Sequence, residues 1–444
     1  MRLKRRNSWL VFGFGALLLL AACGGVAPQI GDSEQVVESP VPSLVATPKP
    51  TNTAVAPTAE PAETATVEEP TPEPTDSEME DGVAMADDRP DWLKRATADW
   101  NTNWSKHSVP YGEILTGGPP RDGIPSIDDP QFISPEEASQ WLEDNEPVIA
   151  LEIEGVARAY PLQILTWHEI VNDTVADVPV MVTFCPLCNS AITFDRRLGG
   201  EVYEFGTSGM LRNSDLIMYD RTSESLWQQL TGEAIIGDLV GERLTFLPSS
   251  IVSFADFRGT YPDGVVLSRE TGHRRSYGNN PYAGYDRIGQ SPFLFDGEED
   301  DRLAAMSRVV TVSLQEPSGD TVDVAYPLSI LAAEGVINDS VGGRDLAVFH
   351  AIGTSSALDA AIIAEGVDVG ASGVFDAQLD GRLLTFYREH NLIVDNETGS
   401  TWNVLGRATD GPLAGEQLQP VVHGDHFWFA WAAFKPDTII YQNG

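Results

Sequence analysis

The same succession of residues occurs twice in this chain, and that repetition limits its fold more than any other feature. Ala159-Tyr160-Pro161-Leu162-Gln163-Ile164-Leu165 returns as Ala325-Tyr326-Pro327-Leu328-Ser329-Ile330-Leu331, and Val171-Asn172-Asp173 returns at the same offset as Ile337-Asn338-Asp339. Ser225-Leu226-Trp227 is answered by Ser400-Thr401-Trp402, and the Gly237 to Leu244 run by Gly411 to Leu418. Tyr261-Pro262-Asp263 then meets Lys435-Pro436-Asp437. Matches kept in one order over so long a stretch imply two copies of one unit, at 147–268 and 309–444.

Within the unit, strands dominate. Val148 to Ile153 is apolar and β-branched, bounded by Pro147 and Gly155, and Val180 to Phe184 is a second such run. Val202 to Phe205, Leu216 to Tyr219 and Leu383 to Tyr387 continue the pattern. Helical periodicity is confined to 161–171, to the stretch after Ser134-Pro135-Glu136-Glu137, and to 355–365. Asp395 to Ser400 reads as a hairpin turn. The expected fold is therefore α+β and β-rich, two tandem copies packed as a pseudo-symmetric pair. The apolar segments Val252 to Phe257 and His426 to Trp431 are the expected seam.

The N-terminus reads as an address. Arg2, Lys4, Arg5 and Arg6 precede an apolar run from Trp9 to Ala22 that is short for a membrane span. Leu20-Ala21-Ala22-Cys23 resembles the bacterial lipobox, so residues 1–22 are expected to be a lipoprotein signal peptide and Cys23 the acylated first residue. Residues 23–90 form a Pro/Thr/Glu tether without an aromatic residue, too polar to offset the entropy of ordering. An entry segment and the first repeat occupy 91–308, and the second repeat 309–444. The expected location is extracytoplasmic, anchored to the bacterial cell membrane through lipid. With 66 acidic against 28 basic residues, the formal net charge is −38, which repels phosphate backbones and excludes nucleic acid as a partner.

Of the three cysteines, only Cys185 and Cys188 lie in the folded part, in Phe184-Cys185-Pro186-Leu187-Cys188-Asn189-Ser190. Thiols so close in sequence cannot staple distant segments, which leaves redox chemistry or metal binding. The repeat helps here. Aligning Phe184 with Phe349 sets Cys185 opposite His350 and Cys188 opposite Gly353, while the Tyr-Pro-Leu motifs set His168 opposite Glu334. Core requirements should be common to both copies, so Cys185, Cys188 and His168, which the first copy alone carries, are the candidate site.

In the redox reading, the strand ending at Phe184 delivers Cys185 to a helix opened by Pro186, whose free N–H groups would lower the thiol pKa. Cys188 then resolves a mixed disulfide or sulfenic acid, and His168 serves as base. The protein would be a thiol oxidoreductase needing no cofactor, its redox partner or substrate unnamed by the sequence. A thioredoxin fold is disfavoured, because strands rather than a βαβ pattern surround the motif. In the metal reading, Cys185, Cys188 and His168 supply three ligands for zinc or copper, with His350, Met210 or Met218 as a fourth. His423 and His426 read as a cap before an aromatic run. A non-catalytic binding module is the third class. Gly206-Thr207-Ser208-Gly209 reads as a tight turn. Thr271 to Phe295, rich in Arg and Tyr, is either a docked linker or a cover over a cleft.

Three stretches, Trp167 to Asp173, Val182 to Ala191 and Phe205 to Leu216, together with Phe427 to Phe434, resemble the uncharacterised bacterial family called domain of unknown function 3179. The resemblance covers nearly everything after the tether and implies no established activity. Some members are described as selenoproteins with selenocysteine at the position of Cys185, which implies that Cys185 is the nucleophilic position.

Overall fold

A computed structural model describes residues 87–443. The signal peptide, Cys23 and the tether up to residue 86 lie outside the described residues. The described part is β-rich with few helices, as its β-branched runs require.

The residues from 147 to 267 build three larger sheets and a two-stranded one, Arg197–Leu198 with Glu201–Val202. Pro147–Ile153 and Val156–Pro161 form a hairpin, flanked by Ser250–Ser253 on one side and by Val265–Leu267, running parallel, on the other. Ile170–Val175, Val178–Cys185, Ser190–Asp195 and Thr245–Leu247 form an antiparallel meander. Phe205–Arg212, Asp215–Asp220, Leu226–Gln228 and Glu233–Ile236 form the third sheet. The entry segment edges it through Leu115–Thr116 and packs Trp100 and Tyr111 on its face. One short helix, Leu162–His168, joins the first sheet to the second; Pro161 fixes its N-terminus and supplies no donor that would need a partner.

The residues from 308 to 440 repeat several of these arrangements. Arg308–Gln315 pairs with Thr321–Pro327, helix Leu328–Glu334 follows, and Val336–Val341 pairs with Arg344–Ala351. Ile439–Ile440 lies parallel to Thr321–Pro327, as Val265–Leu267 lies parallel to Val156–Pro161. Individual contacts recur as well. The Tyr160 hydroxyl donates to Asp173 at 2.6 Å, and the Tyr326 hydroxyl to Asp339 at 2.9 Å. Trp227 Nε1 donates to Asp220 at 3.1 Å, and Trp402 Nε1 to Asp395 at 3.0 Å, each carboxylate also accepting backbone N–H groups of its own turn. These are polar contacts of a buried turn, which cannot be left unmade without a penalty of about 1–3 kcal/mol per group.

Both segments expected at the seam contribute buried residues to the core. Phe427 to Ala432 share a hydrophobic core with Phe184, Cys185 and Trp227, while Val252, Phe254 and Phe257 share another with Ala371, Val404 and Leu405. Other readings need correction. Residues 355–365 are not an α-helix; only Ile363–Glu365 make a 3-10 turn. The segment is anchored from outside itself instead, with Ser355 held by Asn145 O and Ser356 by Asp286. The Leu383 to Tyr387 run is broken into Arg382–Leu383 and Phe386–Glu389.

The strand register also shifts the alignment of the two halves. Ile170 faces Thr183 and Val336 faces Phe349, so Phe349 takes the Thr183 position and Ala351 the Cys185 position. Matching Phe184 to Phe349 by residue type slips the strand by one, and a one-residue slip exchanges its two faces. Cys185 is therefore opposite Ala351, not His350.

Candidate functional site

Cys185 ends the central strand of the meander, and Pro186–Cys188 turn in a single 3-10 step with Cys185 at its N-cap. Asn189 takes a left-handed conformation, φ +50°, that brings the chain back into Ser190–Asp195. Tight reversal puts both sulfurs on the inside. Both thiols are free and buried. Between the third sheet's first two strands, Asn213 and Ser214 form a turn with positive φ at both residues, the twist a two-residue hairpin requires. That turn starts the next strand at Asp215, directly beside the cysteines.

The two Sγ atoms and an Asp215 carboxylate oxygen lie within 4.8 Å of one another, the one group of three or more such ligand side chains among the described residues. Asp215 is fully buried, and its Oδ2 accepts from Gln228 Nε2 at 2.6 Å and Leu230 N at 2.9 Å. Its Oδ1 has no hydrogen-bond partner. The Cys185 thiol faces Ser214 O at 3.8 Å.

Burial raises every acidic group here. It pushes the Cys185 thiol up, a shift partly offset by the hydrogen bond from Cys188. It pushes Cys188 well above the ordinary thiol range, and the neighbouring Cys185 and Asp215 add to the effect. Asp215 is pushed up to about 6 by burial, against the pull of the Leu230 and Gln228 donors. The expectation of a lowered Cys185 pKa is thus overturned. A three-residue 3-10 turn has almost no dipole to offer, and desolvation wins.

Outside this group, sequence reasoning also missed Glu169, a buried acid at the end of the preceding helix. It caps the Leu162–His168 helix at φ +59°, with its N–H bonded to Leu165 O at 2.7 Å and its carbonyl accepting from Phe184 N at 2.8 Å. In the second half the same place is held by Gly335 at φ +79°, bonded to Leu331 O and His350 N. Glycine is the ordinary residue for this cap; a glutamate there carries strain on the order of 1 kcal/mol. Its carboxyl is buried without a donor, and burial with the nearby Asp215 charge pushes its pKa up to about 8. Aligning the Tyr-Pro-Leu motifs already sets Glu169 opposite Gly335. That exchange of glutamate for glycine was the available signal.

His168 is placed differently from the three-residue site the sequence suggested. Its Nδ1 faces Pro125 O at 2.7 Å and its Nε2 the Tyr277 hydroxyl at 2.7 Å. Burial lowers its pKa to about 4, so both nitrogens are engaged in a neutral ring and it is not among the clustered ligand atoms. His350 is not among them either. His426 stacks on Trp431, and His423 Nδ1 is held by Val421 O.

The segment Thr271 to Phe295 covers the site, the second of its two readings joined to the first. Tyr277 meets His168, Tyr285 lies in the hydrophobic core that holds Cys185, and Tyr282 packs against that core. Phe293 O accepts from Ser214 Oγ, and Leu294 O from Ser214 N at 3.1 Å.

Because Glu169 and Asp215 have folded-state pKa values above the unfolded ones of about 4.3 and 3.9, the folded protein binds the extra protons. Their contribution to stability is complete below pH about 4 and is lost as pH rises through about 6 and then about 8. Urea unfolding should show stability falling over this window, with Glu169→Gln flattening the upper part. An unchanged slope in that variant contradicts the assignment.

A family model described as "Protein of unknown function (DUF3179)" matches residues 121–438. No curated protein and no solved structure matches the chain.

Proposed function

Because the chain belongs to the family of that description, which carries no activity, we propose from the site alone that it performs thiol–disulfide exchange through Cys185 and Cys188. The observation that carries this reading is the clustering of the Cys185 and Cys188 sulfurs with an Asp215 carboxylate oxygen, all within 4.8 Å of one another. Cys185 is the entering nucleophile, since burial raises its thiol less than that of Cys188. Cys188 is the resolving thiol and Asp215 takes its proton. The partner is a thiol or disulfide of another molecule.

A second reading rests on one further fact. Asp215 Oδ1 is buried with no hydrogen-bond partner of its own, beside two sulfurs, and a cation would satisfy all three atoms. Cys185, Cys188 and Asp215 would hold zinc or copper with a position left open, as catalytic rather than structural sites do. The donor set fits a thiolate–carboxylate site. A non-catalytic binding module is the reading that remains if the cysteines prove dispensable.

The matched turns, hairpins and parallel edge strands support two tandem copies packed as a pseudo-symmetric pair, with the chemistry confined to the first. The lipobox supports an extracytoplasmic, membrane-anchored lipoprotein. No helix among the described residues is long and apolar enough to cross a membrane. Cys23→Ala should release the protein from the membrane fraction with the folded part intact; retention would contradict a lipid anchor.

Elemental analysis with thiol titration separates the two site chemistries. Exchange chemistry predicts metal-free protein with two titratable thiols that convert reversibly to one disulfide. A stoichiometric zinc or copper lost in Cys185→Ser would overturn it in favour of the metal centre.

A further inference from the structure

A cavity of about 510 Å³ opens at the seam of the two halves, and neither cysteine lines it. Ile192, Leu230 and Phe246 wall it from the first half, Gly424, His426 and Phe434 from the second. His426 is the unexpected side chain. It is 2 % exposed, and its Nδ1 is buried without a hydrogen-bond partner. Strand register gives its counterpart. Val309 pairs with His426 and Pro327, and Val148 pairs with Val252 and Pro161, so His426 takes the place of Val252. The first half buries a valine there completely, so folding alone does not ask for a polar ring. Two further residues serve that ring. Trp431 stacks on it with centroids 5.3 Å and planes 11° apart. Gly424 leaves it room, since a Cβ there would lie 2.3 Å from Nε2, and this glycine has no positive φ that would otherwise require it. The imidazole is thus held in the cavity wall with an unused polar edge.

The arginine, lysine and glutamate of the wall are already matched. Arg243 Nη2 meets Glu233 at 2.7 Å, and Lys435 Nζ lies 3.2 Å from Asp323. An anion would find no free arginine or lysine on this wall. Burial pushes the His426 pKa down to about 3, so the ring is neutral, one nitrogen a donor and the other an acceptor. Thr231, Thr321 and Gln315 add hydroxyl and amide groups, and Phe246 and Phe434 add aromatic surface. Uncharged groups that both donate and accept suit ligand hydroxyls, while the negative faces of aromatic rings suit polarised C–H groups. A sugar ring carries both. The volume lies within the range of small-molecule sites, about 300–1,000 Å³. We propose that the seam cavity binds a neutral mono- or disaccharide, with His426 hydrogen-bonding a sugar hydroxyl and Phe246 and Phe434 lying against the sugar's C–H face. Both halves contribute to the site, and it does not rest on the thiol-exchange reading.

The test is retention of the full chain on an array of immobilised neutral and acidic mono- and disaccharides, followed by calorimetric titration of each retained sugar in solution. Neutral sugars are expected to be retained. His426→Val installs the residue of the matched position, so it should unfold in urea no earlier than the wild type and bind the retained sugar about 10-fold more weakly, the scale of one lost hydrogen bond. Gln315→Leu, at the exposed mouth of the cavity, should weaken the same sugar without disturbing the core. A wild-type protein that retains no sugar, or acidic sugars alone, overturns the proposal. So does undiminished affinity in His426→Val or, should that variant fail to fold, in Gln315→Leu.

Discussion

Three acidic groups lie within 4.8 Å of one another in the interior of this protein, and they cannot all be charged. Cys185, Cys188 and Asp215 are all buried, with burial the leading cause of every raised pKa among them. Like charges at such range in a low-dielectric interior keep one another neutral, so the groups titrate as a set rather than singly. The space must be filled by protons or by a cation. Either way it is a place where protons are held against their ordinary tendency to leave, at pH values where exposed carboxylates are bare. Proton handling at a pair of sulfurs is what thiol exchange needs.

The strand framework creates that space by small departures from its own pattern. The meander hairpin ends in Cys185 where the second half has Ala351. The helix before it ends in Glu169 where the second half has Gly335. The third contribution is a matter of length. Both halves have a strand ending in the aspartate that caps a buried tryptophan, but Asp215–Asp220 has 6 residues and Leu392–Asp395 has 4. The longer strand carries Asp215 out to the sulfurs. The Thr271 to Phe295 segment then closes the site from above, bonding to the Ser214 turn that holds Asp215 in place.

Local pattern made much of this legible in the sequence. The strands around Val148 and Val180, the helix after Pro161 and the capped turn at Asp395 all follow from β-branched runs, proline and turn residues. What escaped was settled by register and by burial. Phe349 resembles Phe184 in type but not in register, because hairpin pairing counts from the turn, where Ala176 and Asp177 correspond to Gly342 and Gly343. His168 looked like a partner for the thiols because it is close in sequence; the helix turns it instead toward Pro125 and Tyr277. Asp215 and Glu169 went unnoticed because acids are abundant in so acidic a chain. Only the fold separates two buried carboxyls from the many solvated ones.

The most direct test of a two-electron site is its equilibrium with a redox buffer. The folded domain is held in mixtures of reduced and oxidised glutathione, quenched by acid, alkylated and weighed by mass spectrometry. The account predicts a single transition in which both Cys185 and Cys188 pass from alkylated to protected together, with an intramolecular disulfide and no glutathione adduct at the oxidised end. Two thiols that remain alkylatable at every poise, or that titrate separately as glutathione adducts, would contradict it.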